Sequence, residues 1–139
     1  MKRTIAMLAI TAVLAGCGNK HTIATDPNEV AKKWNADVPQ PELRLEAVGG
    51  PNILRTGTGI WVTYYPSEHS WMAMASVASG TPACTELLVA TTGMSQQQAR
   101  ELFNRLSDDN HWVVQDGNLE FSFNPMGGVI CRVTDTSRH

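Results

Sequence analysis

The sequence predicts a single α+β domain: a mostly antiparallel sheet with one amphipathic helix packed on it, a short N-terminal helix and one disulfide. Three observations carry that expectation. Short segments in which apolar and polar residues alternate, separated by Gly, Pro and Asn turns, recur between Leu43 and Thr134. One stripe of helical period, Ala99, Leu102, Phe103 and Leu106, stands out among polar neighbours. Two cysteines, Cys84 and Cys131, lie in the body of the chain. At 139 residues there is room for one domain and not two. A 42% hydrophobic content with 17% charged residues excludes a disordered tail. The net charge of −2 argues against a nucleic-acid binder, which needs a basic patch for phosphates.

Each element has its own local cause. Asp26-Pro27-Asn28-Glu29 is a helix start, with Asp26 as N-cap, Pro27 at the first helical position and Glu29 closing a capping box. Val30 and Trp34, four apart, share one face before Pro39 and Pro41 stop the helix. Leu43, Leu45 and Ala47 alternate with Arg44 and Glu46 as a strand, and Gly49 to Asn52 turns the chain. A second strand is expected near Ile60–Tyr65. A third, Trp71–Ala78, is apolar on both faces and should be central in the sheet. Gly80-Thr81-Pro82 reads as a turn, with a fourth strand from Thr85 to Ala90.

The clearest helix follows, capped by a Ser95/Gln98 box, with Glu101 and Arg105 spaced for an i,i+4 ion pair. Ser107 to Asn110 should end it. His111–Gln115 and Asn118–Phe123 form a hairpin around Asp116-Gly117, and Val129–Thr134 is the last strand after the Pro125–Gly128 turn.

The N-terminus carries the most specific signal. Met1-Lys2-Arg3 is a positive start, and Thr4 to Ala15 an apolar run of roughly a dozen residues, where a spanning helix needs about 20. The run ends in Leu14-Ala15-Gly16-Cys17, which closely resembles the lipobox of bacterial lipoproteins. The resemblance covers the leader alone. It implies a signal peptide over residues 1–16, diacylglycerol and a further acyl chain (palmitate-type) on Cys17, and a lipid-bilayer partner. Each buried methylene contributes about 0.8 kcal/mol, so several chains hold stably. Gly18, where an Asp favours inner-membrane retention in enterobacterial-type lipoproteins, implies the outer membrane, facing the periplasm. Residues 17–25 then form a lipidated tether and 26–139 the domain.

With Cys17 acylated in an oxidising compartment, Cys84 and Cys131 are left to pair with each other. Their spacing is neither C-x-x-C nor a zinc-ribbon pattern.

Candidate chemistry is sparse. His69, Trp71, Met72 and Met74 loosely resemble the ligand set of periplasmic copper chaperones, but strand parity sets His69 and Trp71 on the opposite face from the two methionines. A buried strand with Met as gap filler is the simpler account. The histidines are His21, His69, His111 and His139, with Glu68 and Asp109 nearby in sequence, and no G-x-S-x-G elbow occurs. Gly57-Thr58-Gly59 lacks the following helix and the Lys of a phosphate loop. No catalytic set, metal site or cofactor is expected. Instead, if Ile60, Val62 and Tyr64 face the core, Trp61, Thr63 and Tyr65 face outward, where Trp and Tyr suit a hot spot. The expectation is a non-catalytic module that binds an unidentified envelope protein, as an assembly or secretion accessory or an inhibitor or immunity factor. A copper carrier and a small envelope hydrolase are the alternatives.

Overall fold

The computed structural model describes residues 20–108, 112–125 and 127–138. The leader, Cys17 and the start of the tether lie outside the described residues, as do Asp109, Asn110, His111, Met126 and His139.

The first helix, α1 (Pro27–Asp37), begins where the sequence places it: the Asp26 carboxylate accepts the Asn28 backbone N–H at 2.9 Å. Four strands follow as a meander: β1 (Glu46–Ala47), β2 (Ile53–Arg55), β3 (Trp61–Tyr65) and β4 (Ser70–Ala75). Two helices, α2 (Val77–Thr92) and α3 (Gln96–Asp108), carry the chain to the far edge. A second meander, β5 (Val113–Asp116), β6 (Leu119–Asn124) and β7 (Val129–Asp135), returns to lay β7 beside β4. The result is one seven-stranded sheet in the order β1-β2-β3-β4-β7-β6-β5, with every neighbour antiparallel. β4 is the middle strand, as expected, but it ends at Ala75: Val77 and Ala78, read as the end of that strand, open α2, and only one of its faces is covered.

All three helices lie on one face of this sheet. α2 packs over β4 and β7, α1 against α2 and β2, and α3 against α2 and β5. Their contact surface is the core, where Trp34, Trp71 and Phe121 are buried with Val62, Leu87, Leu88 and Val133. Tyr64 stacks on Trp71 at 4.7 Å, and Phe103 of α3 meets Phe123 edge-on at 5.0 Å. The Ser95/Gln98 capping box forms in both directions, at 3.1 and 2.9 Å. The β5–β6 hairpin turns on two residues, with Asp116 opposite Leu119 and Gly117 at φ +61°, a conformation that costs glycine nothing.

Cys84 of α2 is bonded to Cys131 of β7 with Cα atoms 5.9 Å apart, and both residues are buried. The bond therefore joins the central helix to the central strands, at the place where the two layers meet.

Four expectations are corrected. Residues 85–90 are not a strand; they belong to α2. This helix is covered on several sides, by the sheet and by α1 and α3, so its apolar run has no solvated stripe and reads like a core strand. Gly80 and Pro82 lie inside it. A Cβ on Gly80 would stand 2.3 Å from Val129 Cγ2, so the glycine serves close helix–sheet approach rather than a turn. The Leu43–Ala47 strand shrinks to two residues. Leu43 ends a 3-10 turn whose carbonyl accepts the Trp34 indole N–H, and Asn35 bonds both backbone groups of Leu45. The short β2 was not expected. Finally, Glu101 does not pair with Arg105: it accepts from Gln97, while Arg105 reaches the Gln115 carbonyl at 3.1 Å on β5.

Residues 21–24, expected as part of a polar tether, pack against the fold. Ile23 is buried, the Ala24 N–H bonds the Thr91 carbonyl at 2.7 Å, and the Ala24 carbonyl accepts the Trp71 indole N–H at 2.7 Å. Asn118 clasps both backbone groups of His21, at 2.6 and 2.9 Å, and the His21 ring lies 2.8 Å from Asp116.

Candidate functional site

With the helices all on one side, the other side of the sheet is open, and its side chains follow from register. Where Val62 and Tyr64 point to the core, Trp61, Thr63 and Tyr65 point away. Met72 and Met74 of β4 follow the same parity, as do Ile130, Arg132 and Thr134 of β7. One cross-strand row runs Arg55, Trp61, Met74, Ile130, Asn124. The next runs Ile53, Thr63, Met72, Arg132, Ser122, Val113.

Two cations lie flat against this face. The Arg55 guanidinium sits 4.9 Å over the Trp61 ring and that of Arg132 5.4 Å over Tyr65, where the ring quadrupole attracts it. Arg132 also pairs with Glu68. The surface is thus aromatic and aliphatic, with arginine stems laid over it rather than extended into water. Met72, Val113, Phe123, Ile130 and Arg132 line a groove of about 530 Å³ across it.

The two ends of the sheet differ in character. One end is formed by Tyr65, Ser70, Thr134 and the Gly117–Asn118 turn, and here residues 21–24 are docked. The other end holds Trp61, Met74, Val113, Trp112 and Val77, which are the large hydrophobic residues left exposed among the described residues. Seven residues of β7 separate the ends, about 20 Å at the rise of a strand.

A second feature lies between the helices. Trp34, Val38, Leu43, Ile60 and Pro82 wall a pocket of about 550 Å³, with Glu86 of α2 in its lining. Glu86 is 6% exposed. Its Oε2 accepts from Gln96 at 2.9 Å, while Oε1 is buried with no hydrogen-bond donor among the described residues. Burial, reinforced by a side-chain contact with the Asp37 carboxylate, pushes its pKa up to about 8, against the smaller opposing effect of Gln96.

The sites expected from the sequence fall as follows. Cys84 and Cys131 are joined; Trp61, Thr63 and Tyr65 share the open face; Cys17 lies outside the described residues. Trp71 points into the core while Met72 and Met74 point to the open face, and His69 ends a 3-10 turn with φ +49° and is not in β4. Among the described residues no three His, Cys, Asp or Glu converge as a metal site, and no helix is long and apolar enough to cross a membrane. Gly57 and Gly59 belong to a turn held by Thr56, whose hydroxyl accepts the Ile60 N–H at 3.0 Å.

Ile130, Arg132, Met74 and Arg55 were missed as members of the face. A signal for β7 existed, since an inward Cys131 forces Ile130 and Arg132 outward. The signal for Glu86 was equally plain: it is the one charge in the run Cys84–Ala90. No family model, curated protein or solved structure matches the chain.

Proposed function

We propose that this chain is a lipid-anchored protein of the bacterial envelope that binds another envelope protein, without catalysis, through the open face of its sheet. The observation that carries the reading is the separation of its two ends. The chain enters the fold at the end where His21 and Ala24 dock, and the exposed aromatic and aliphatic residues gather at the other. Cys17 is only four residues before His21, so an acyl anchor there lies within about 14 Å of that entry point. The domain is then held close to its bilayer on a short tether, with Trp61, Met74 and Val113 on the side away from it.

The face has the composition of a recognition surface. Aromatic, Met and Arg side chains are enriched at interface cores, and Arg55 and Arg132 are already laid flat on rings, so little side-chain entropy remains to be lost on binding. Outer-membrane sorting through Gly18 remains part of the proposal and rests on the leader alone.

The test is a short-range crosslinker applied to intact cells, comparing wild type with a Trp61→Ala, Met74→Ser double variant that melts within a few degrees of it. The expected result is one defined adduct with a second envelope protein, lost in the variant. An adduct that survives the double substitution, or one made only of two copies of this chain, overturns the reading.

A further inference from the structure

We propose that the pocket between α1, α2 and α3 binds a small primary amine with an apolar body, its ammonium group held by the buried Glu86, with the exposed Asp37 carboxylate beside it adding to the attraction. The proposal is independent of the open face, which lies on the other side of the sheet.

About 550 Å³ is within the usual range for a small-molecule site, and Trp34, Val38, Leu43, Ile60 and Pro82 give it apolar walls. Such walls select an alkyl or aryl body. The polar groups then decide the head. Glu86 is almost wholly buried, yet Oε1 has no donor, and Asp37, the last residue of α1, brings a second carboxylate against it. Two carboxyl groups and one donor, the Gln96 amide on Oε2, leave acceptors in excess. Without a ligand, the proton held on Glu86 makes up the difference. An ammonium group offers three donors and a positive charge at the same place.

The other charged group in the lining is Arg100 of α3, which is exposed. Its guanidinium can turn to solvent, and a carboxylate ligand would meet Glu86 at the buried wall, with the exposed Asp37 carboxylate next to it. An anion is therefore disfavoured where the cation is favoured.

Proton balance gives the proposal a signature. The amine arrives as an ammonium ion; Glu86 arrives protonated and leaves its proton in solvent as the charge-assisted contact forms. No covalent bond changes. With the Glu86 pKa near 8, about 0.9 proton should be released per amine bound at pH 7.

The experiment is isothermal titration of the full-length protein with 2-phenylethylamine at pH 7, in two buffers of different ionisation enthalpy. The neutral analogue 2-phenylethanol is the control. The expected result is saturable binding of the amine with close to one proton released, and affinity for the alcohol weaker by about ten- to a hundredfold, the worth of a charged hydrogen bond. Glu86→Gln, which keeps the shape of the side chain, should lower amine affinity by a similar factor and abolish the proton release. Asp37→Asn, an exposed substitution that leaves Glu86 in place, should also weaken binding. Equal binding of amine and alcohol, binding without proton release, or amine affinity unchanged in either variant overturns the proposal.

Discussion

Replacing Glu86 by Gln should change how stability depends on pH. The carboxyl is buried on α2 beside Asp37, and its pKa rises from 4.5 to about 8 in the folded protein. A raised acid binds its proton more tightly folded than unfolded. Its stabilisation is thus fully present below the unfolded pKa and is lost as pH climbs through the folded one, a window from about 4.5 to about 8. At about 1.4 kcal/mol per unit the full shift corresponds to roughly 5 kcal/mol. Water entering the pocket screens the ionised form, which brings the expected loss to about 2–3 kcal/mol. That is a large share of the 5–15 kcal/mol typical of a domain.

The assay is urea unfolding of both proteins at pH 5, 6.5, 8 and 9. Wild type should lose stability across the series, and Glu86→Gln should lose about 2–3 kcal/mol less over the same range. Asp135 does not interfere. Burial tends to raise its pKa, but hydrogen bonds from Ser137 and Asn118 and the charge of Arg138 outweigh that and lower it. Its stabilisation is present above the unfolded value near 3.8 and lost only at more acid pH. Parallel curves for wild type and variant would refute the reasoning.

Other expectations are more direct. Cys131→Ser should cost about 2–5 kcal/mol, since the bond closes a loop with a sequence separation of 47, and non-reducing peptide mapping of wild type should recover Cys84 linked to Cys131. Trp34→Ala, at 2% exposure, should cost about 3–5 kcal/mol in denaturant unfolding, whereas Trp61→Ala, at 38%, should leave the melting temperature within a few degrees. Cys17→Ser should abolish lipidation and leave an unprocessed or wrongly cut precursor; an unmodified mature wild-type protein by intact mass would remove the anchor.

What the sequence disclosed depended on how local each cause was. The Asp26 cap, the Ser95/Gln98 box and the Gly117 turn rest on residues a few positions apart, and all three form. The outward set on β3 was legible because strand parity needs only one inward residue to fix it. α2 was not legible. A helix enclosed by a sheet and two other helices loses the polar stripe that identifies it, and Gly80 and Pro82 then imitate a turn. The docking of His21 was hidden for the opposite reason, since its partners Asp116 and Asn118 are about a hundred residues away and only the completed hairpin presents them. Arg105 had two plausible partners, and a carbonyl on β5 displaced the nearby Glu101.

The central claim is that recognition takes place on the open face, at the end away from the entering chain. The measurement that tests it most directly is photo-crosslinking in intact cells with benzoylphenylalanine placed one position at a time. Met74 and Val113 sample the open face, and Gln97 and Asn104 sample the solvent side of α3 on the other surface. The account predicts the same heterologous adduct from Met74 and Val113 and none from the α3 positions. Equal adducts from both surfaces, or adducts from α3 alone, would contradict it.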